Sequence, residues 1–89
     1  MTGIDDNSRG IEMLERFASR FDPRTRALLD EFVEHNEHGL AFEEVAGILA
    51  HGEEPITAGD LSYLRELGRS WESARDPIPW DLLESKVAR

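Results

Sequence analysis

The chain of 89 residues carries 19 acidic and 10 basic side chains, which gives a formal net charge of -9. Its 39% hydrophobic and 33% charged residues are typical of an ordinary soluble globular protein, and its length suits one domain with one small core. The absence of cysteine excludes disulfides, thiolate nucleophiles and cysteine-based metal sites.

The N-terminal segment carries neither the basic nor the apolar region of a signal peptide. No apolar run approaches the roughly 20 residues that span a membrane. We therefore expect a cytoplasmic protein with a single helical domain over residues 1–89, in which residues 1–7 form a flexible N-terminus.

The first two predicted elements are amphipathic helices. Apolar residues recur at helical spacing from about Ser8 to Phe21. A second helix is then predicted to begin at Asp22 and Pro23, because Asp is a good N-cap and Pro is favoured at the first helical position. The second helix fades near Asn36 and carries one apolar stripe, formed by Leu28, Leu29, Phe32 and Val33.

The third and fourth predicted helices lie in the middle of the chain. The third covers about residues 40–50, with Phe42 at the edge of an apolar face formed by Ala41, Val45, Ile48 and Leu49. Thr57 and Asp60 form a near capping box that starts the fourth helix. The apolar stripe of the fourth helix consists of Leu61, Leu64, Leu67 and Trp71.

The last predicted elements are a rigid connector over residues 75–80 and a short C-terminal helix that Pro79 can open. No segment shows the period of two that indicates strands, so the sequence predicts an all-α fold, a compact bundle of four to five short helices. The expected core includes Phe32, Val45, Ile48, Leu64 and Trp71.

The negative charge is concentrated in the middle of the chain. Between Ala27 and Leu64 there are nine acidic residues and no Lys or Arg. The negative electrostatic potential of such a segment repels nucleic acids and anionic membranes and attracts basic partners. We therefore expect a protein partner, with neither direct nucleic-acid binding nor membrane binding.

Six of these carboxylates are the candidate partner-binding residues. They project away from the apolar stripes of the second and third helices or lie in the turn between them. The set is Asp30, Glu31, Glu34, Glu37, Glu43 and Glu44. The alternative is a merely solvated surface, and acids in the first turn of the third helix would stabilise that helix by about 0.3 to 1 kcal/mol.

The segment "EHNEH" also admits a metal site, because His35 and His38 are three residues apart and Glu34, Glu37 and His51 could join them. The spacing matches no compact zinc motif, and His35 in the last turn of a helix complements the helix dipole, whereas His38 fits a turn. We therefore expect surface or helix-end histidines and no metal or other cofactor. A metal-dependent hydrolase built on this cluster is the enzyme alternative.

Catalysis has little support elsewhere in the sequence. The chain contains no Gly-rich phosphate loop, no P-loop lysine and no serine in a nucleophile elbow. A small helical bundle also rarely provides the cleft that a pair of catalytic carboxylates needs. The expected protein is not an enzyme and has no catalytic residues.

The runs "FVEHNEHGLAFEEVAGIL" and "PITAGDLSYLRELGRSW" resemble the MafI-like immunity proteins of bacterial polymorphic toxin systems. This family is marked by an E-x-G-L-A-x-E core and a downstream helix start. Here the core residues are Glu37, Gly39, Leu40, Ala41 and Glu43, and the helix start is Pro55, Ile56 and Thr57. Phe42 and Val45 stand where the family pattern favours leucine-like residues.

The resemblance implies a cytoplasmic antidote that binds and blocks a cognate toxin domain, often a nuclease, in systems of contact-dependent inhibition between bacteria. Nuclease toxins tend to be basic because they grip phosphates, so an acidic inhibitor gains association rate from electrostatic steering. The alternative from another class is a small acidic adaptor or regulatory module unrelated to toxins. A neighbouring reading frame that encodes a large secreted toxin would discriminate between them.

The first testable prediction is that the fold needs no structural metal. Thermal melting with and without a chelator should give the same midpoint, because the three histidines have simpler roles at the surface and at helix ends. Loss of stability on chelation, together with stoichiometric zinc by elemental analysis, contradicts this prediction.

Overall fold

The computed structural model describes residues 6–71 and 78–88. These residues form five α-helices and a short 3-10 helix at Ala18–Arg20. The α-helices are α1 (Asp6–Arg16), α2 (Pro23–Glu34), α3 (His38–His51), α4 (Ala58–Trp71) and α5 (Trp80–Ser85). Within the described ranges the only β-type pairing is an isolated bridge between Ile56 and Val87. The predicted all-α fold of four to five short helices is confirmed.

The ends of the chain and the predicted connector are only partly described. Of the predicted flexible N-terminus, residues 1–5 lie outside the described residues, and Asp6 begins α1. Residues 75–77 of the predicted connector also lie outside them. The chain divides into two compact units, residues 1–41 and 42–89, so the boundary falls within α3. The single-domain organisation stays a prediction.

In the first unit, local signals fix both ends of α2. The Asp22 carboxylate accepts a hydrogen bond from the Thr25 backbone N–H at 2.7 Å. This hydrogen bond from Thr25 is the main reason that the pKa of Asp22 lies below its usual value. Beyond the C-terminal end of α2, Asn36 has a φ of 60°, the left-handed conformation that ends many helices. The predicted start and end of this helix are confirmed.

The buried faces of α1 and α2 differ from the predicted stripes. On α1, Met13, Leu14 and Phe17 are buried, whereas half of Ile11 is exposed. The helix also ends at Arg16, earlier than predicted, because the chain tightens into the 3-10 helix. On α2 the buried stripe centres on Leu29 and Val33, so the prediction that Leu28 lies on the buried face is wrong.

In the second unit, α4 begins with the predicted capping box. The Asp60 N–H donates to Thr57 Oγ1 at 2.9 Å, and the Thr57 N–H donates to Asp60 Oδ2 at 3.0 Å. The C-terminal segment then returns to the residues before α4. The Ile56 N–H donates to the Lys86 carbonyl, and the Ala88 N–H donates to the Ile56 carbonyl. These bonds hold the end of the chain against the start of α4.

Three aromatic rings lie close together in the second unit. The Phe42 ring is fully buried, and its centroid lies 6.3 Å from that of Trp71 and 6.4 Å from that of Trp80. The predicted position of Phe42 at the edge of a face is therefore wrong. The predicted core positions Val45, Leu64 and Trp71 are confirmed.

Two predicted core residues are only partly buried. Phe32 and Ile48 are half-buried, so the prediction that they lie in the core is wrong. Phe32 directly precedes the buried Val33, and Ile48 directly precedes the buried Leu49. A residue beside the centre of a buried stripe keeps part of its side chain in water.

The second testable prediction compares two phenylalanines. Phe42→Ala should cost about 3 to 5 kcal/mol of unfolding free energy, because it empties a fully buried site between two tryptophans. Phe32→Ala should cost clearly less, because the Phe32 side chain is already partly in water. Denaturant unfolding of both variants measures this order, and an equal or reversed order contradicts the assigned burial.

Candidate partner-binding surface

Glu31, Glu34 and Glu37 are the exposed carboxylates of the predicted acidic site that lie in the first unit, and we call these three residues the acidic surface. At about 100° per residue, Glu31 lies on the side of α2 opposite the buried Leu29 and Val33, and Glu34 lies on the flank of the helix, roughly 120° from the centre of the buried stripe. Glu37 lies in the turn that follows α2, and all three are exposed. Within residues 6–71 and 78–88, their carboxylates make no hydrogen bond or ion pair. They are therefore available to a basic partner.

Asp30 differs from these three residues because its charge is already compensated. Arg26 Nε donates to Asp30 Oδ1 at 3.0 Å, and Arg26 Nη2 donates to Glu15 Oε2 at 2.7 Å. These hydrogen bonds raise the pKa of Arg26, the one accepted by Glu15 more than the one accepted by Asp30. Arg26 thereby links α1 to α2 and places Asp30 at the margin of the acidic surface.

Glu43 and Glu44 belong to the second unit. Glu44 is exposed and Glu43 is half-buried. Because α3 begins at His38, both carboxylates lie in its second turn, and no acid occupies its first turn. A helix dipole acts mainly within the first turn, so the alternative role of these two acids in stabilising the start of α3 finds no support. Their part in partner binding stays a prediction.

The three histidines have different environments. His35 is exposed at the C-terminal end of α2, and its Nδ1 lies 2.9 Å from the Glu31 carbonyl oxygen, which confirms its helix-end position. His51 is exposed at the end of α3. His38 is only 8% exposed and begins α3, so its predicted place in a surface turn is wrong. Among the residues that the structure describes, no three His, Asp or Glu side chains are grouped to hold a metal ion.

A groove between α1 and α2 was not predicted from the sequence. It has a volume of about 180 Å³. Its lining includes Ile11, Leu14, Arg26, Asp30, Val33 and Glu34. The groove is thus lined by apolar side chains and by one residue of the acidic surface, Glu34. The alternation of apolar and acidic residues along α2 was visible in the sequence, but the exposure of Ile11 beside it was not.

Gly10 sets the distance between these two helices. A Cβ atom at Gly10 would lie 3.1 Å from Val33 Cγ2 and 3.3 Å from His38 Cδ2. Contacts this short leave no room for a side chain without movement of the buried Val33 or His38. The absence of a Cβ therefore allows α1 to approach α2 closely, and this approach forms the base of the groove.

Comparison of the chain with protein families, curated proteins and solved structures finds no match. The likeness to the MafI-like proteins therefore rests on the quoted motif residues alone. None of the helices in the described part of the chain is long and apolar enough to cross a membrane.

The third testable prediction compares two helical glycines. Gly10→Ala should lower the melting temperature, although Ala is the better helix former by about 1 kcal/mol, because its Cβ would crowd Val33. Gly47→Ala in α3 is the matched control, since its Cβ would meet nothing within 4 Å. It should gain about 0.5 to 1 kcal/mol. Equal stabilisation by both substitutions contradicts the close approach of α1 to α2.

Proposed function

We propose that this protein is an immunity protein that binds and neutralises a basic toxin domain in the cytoplasm, by stoichiometric occlusion through the acidic surface. The observation that carries the binding part is the exposure of Glu31, Glu34 and Glu37 without an ion pair in the described part of the chain. The protein supplies no chemistry of its own in this proposal. Inhibition follows from covering the toxin.

The carboxylates differ in what each of them would lose on binding a basic partner. Asp30 would have to give up or share Arg26, whereas the three carboxylates of the acidic surface exchange only water for a partner's Lys or Arg. Close charge pairs at a protein interface can contribute several kcal/mol, whereas exposed pairs at its rim contribute under about 1 kcal/mol. A few carboxylates should therefore dominate the affinity, and the surrounding charge should mainly accelerate encounter.

The toxin part of the proposal rests on the resemblance. The motif residues Glu37, Gly39 and Leu40 surround the start of α3, and Thr57 caps α4. Leu40 is 46% exposed and Ala41 is fully buried, so the motif contributes both to a surface and to the core of the first unit. A nuclease toxin would offer the basic, phosphate-gripping surface that an acidic inhibitor can occupy.

The fourth testable prediction is a charge reversal with a matched control. Glu34→Lys should slow association with the toxin domain encoded by the adjacent reading frame and weaken its salt dependence, because it removes steering at the acidic surface. Glu31→Lys with Glu34→Lys together should weaken binding at least about tenfold and abolish protection of cells. Stopped-flow and calorimetric measurements at low and moderate salt provide the comparison.

The control is Glu53→Lys, which makes the same change in net charge at an exposed residue beyond the end of α3. Glu43→Lys separately tests the predicted contribution of the second unit. If Glu34→Lys stays folded and associates at the same rate as Glu53→Lys, the acidic surface is only solvated. If the adjacent reading frame encodes no toxin, the adaptor alternative is favoured.

A further inference from the structure

Ile11 is exposed beside the acidic surface, in a position that the packing of α1 on α2 does not require. Half of its side chain is accessible, whereas Leu14 and Val33, which line the same groove, are almost fully buried. The groove is therefore apolar both at its exposed edge, formed by Ile11, and at its buried base, formed by Leu14 and Val33. Glu34 lines the same groove, so apolar and acidic groups lie within one small site.

The charges around the groove favour a cationic neighbour. Arg26 is the one base among its lining residues, and Glu15 and Asp30 both bind its guanidinium. The two negative charges of Glu15 and Asp30 exceed the single positive charge of Arg26. Glu34 adds a third negative charge. A ligand that enters the groove thus meets an excess of negative charge, which complements Lys or Arg.

The size of the groove distinguishes a side chain from a small molecule. Pockets for drug-sized ligands have volumes of about 300 to 1,000 Å³. The α1–α2 groove, with about 180 Å³, is smaller, and its size is close to that of cavities that hold one benzene-sized apolar group. One aliphatic or aromatic side chain is the matching occupant.

We propose that the α1–α2 groove receives one apolar side chain of the partner protein, from a segment that also places Lys or Arg against Glu34 and the rest of the acidic surface. This inference rests on the proposed function and adds to it the site that recognises an apolar side chain of the partner. The buried apolar side chain then contributes specificity and a slower dissociation, while the carboxylates contribute steering.

Two synthetic peptides and the full-length protein test this inference. The first probe is a lysine-rich helical peptide with a single central leucine, and the second is the same peptide with serine in place of the leucine. At low salt, the leucine peptide should bind at least about tenfold more tightly. Ile11→Ser should reduce its affinity to that of the serine peptide, and Ile11→Met should retain the difference.

Leu82→Ser is the matched control, because Leu82 is a similarly exposed apolar residue on α5, and it should leave both affinities unchanged. Circular dichroism and melting of each variant establish that it is folded. Backbone and methyl NMR shifts should change at Ile11, Leu14 and Val33 only with the leucine peptide.

Three results overturn the inference in distinguishable ways. If both peptides bind equally and binding depends on Glu34, the groove is not used, while the acidic surface keeps its proposed role. If neither peptide binds, both the groove and the acidic docking surface fail. If the protein dimerises through Ile11 without peptide, the groove holds a second copy of the chain in place of a partner side chain.

Discussion

The close approach of α1 to α2 at Gly10 is the constraint on which the candidate site depends. The backbone of α1 lies so near Val33 and His38 that a methyl group would crowd both side chains. This approach buries Leu29 and Val33 on one side of α2, so Glu31 is turned to the opposite side and Glu34 lies at the edge of the contact, where it lines the groove. It also leaves Ile11 beside the helix pair and Arg26 within reach of Glu15 on α1. The groove thus arises from the packing of α1 on α2, and Glu34 of the acidic surface lies at its edge.

Two of the three carboxylates of the acidic surface, Glu31 and Glu34, bring no evident gain in stability, whereas Glu37 directly precedes α3, where a negative charge is favourable. Like charges on neighbouring turns repel one another, and the segment between Ala27 and Leu64 contains no Lys or Arg that could compensate for them. Other carboxylates of the chain do form ion pairs, such as Glu84 with Arg65 and Asp30 with Arg26. A contribution to partner binding would offset the cost of leaving Glu31 and Glu34 unpaired.

Local signals in the sequence predicted the helices well, and tertiary contacts account for most of the errors. Asp22, Pro23, Asn36 and the pair Thr57 and Asp60 act within one helical turn, so their roles could be predicted without knowing the fold. Local signals do not determine which apolar residues of a helix are buried, because neighbouring apolar residues can each face the core. Packing decides whether Met13 or Ile11, and whether Leu29 or Leu28, is buried. The pairing of Asp30 with Arg26 and the burial of His38 also depend on how α1 meets α2.

The most direct test is carboxyl footprinting with a carbodiimide, on the protein alone and with the toxin domain that we propose it binds. Mass spectrometry reports the labelling rate of each carboxylate. The account predicts that labelling of Glu31, Glu34 and Glu37 falls severalfold in the complex, while that of the exposed Glu53 and Asp81 is unchanged. Unchanged labelling of the first three residues in a complex that does form, with protection elsewhere on the chain, contradicts it.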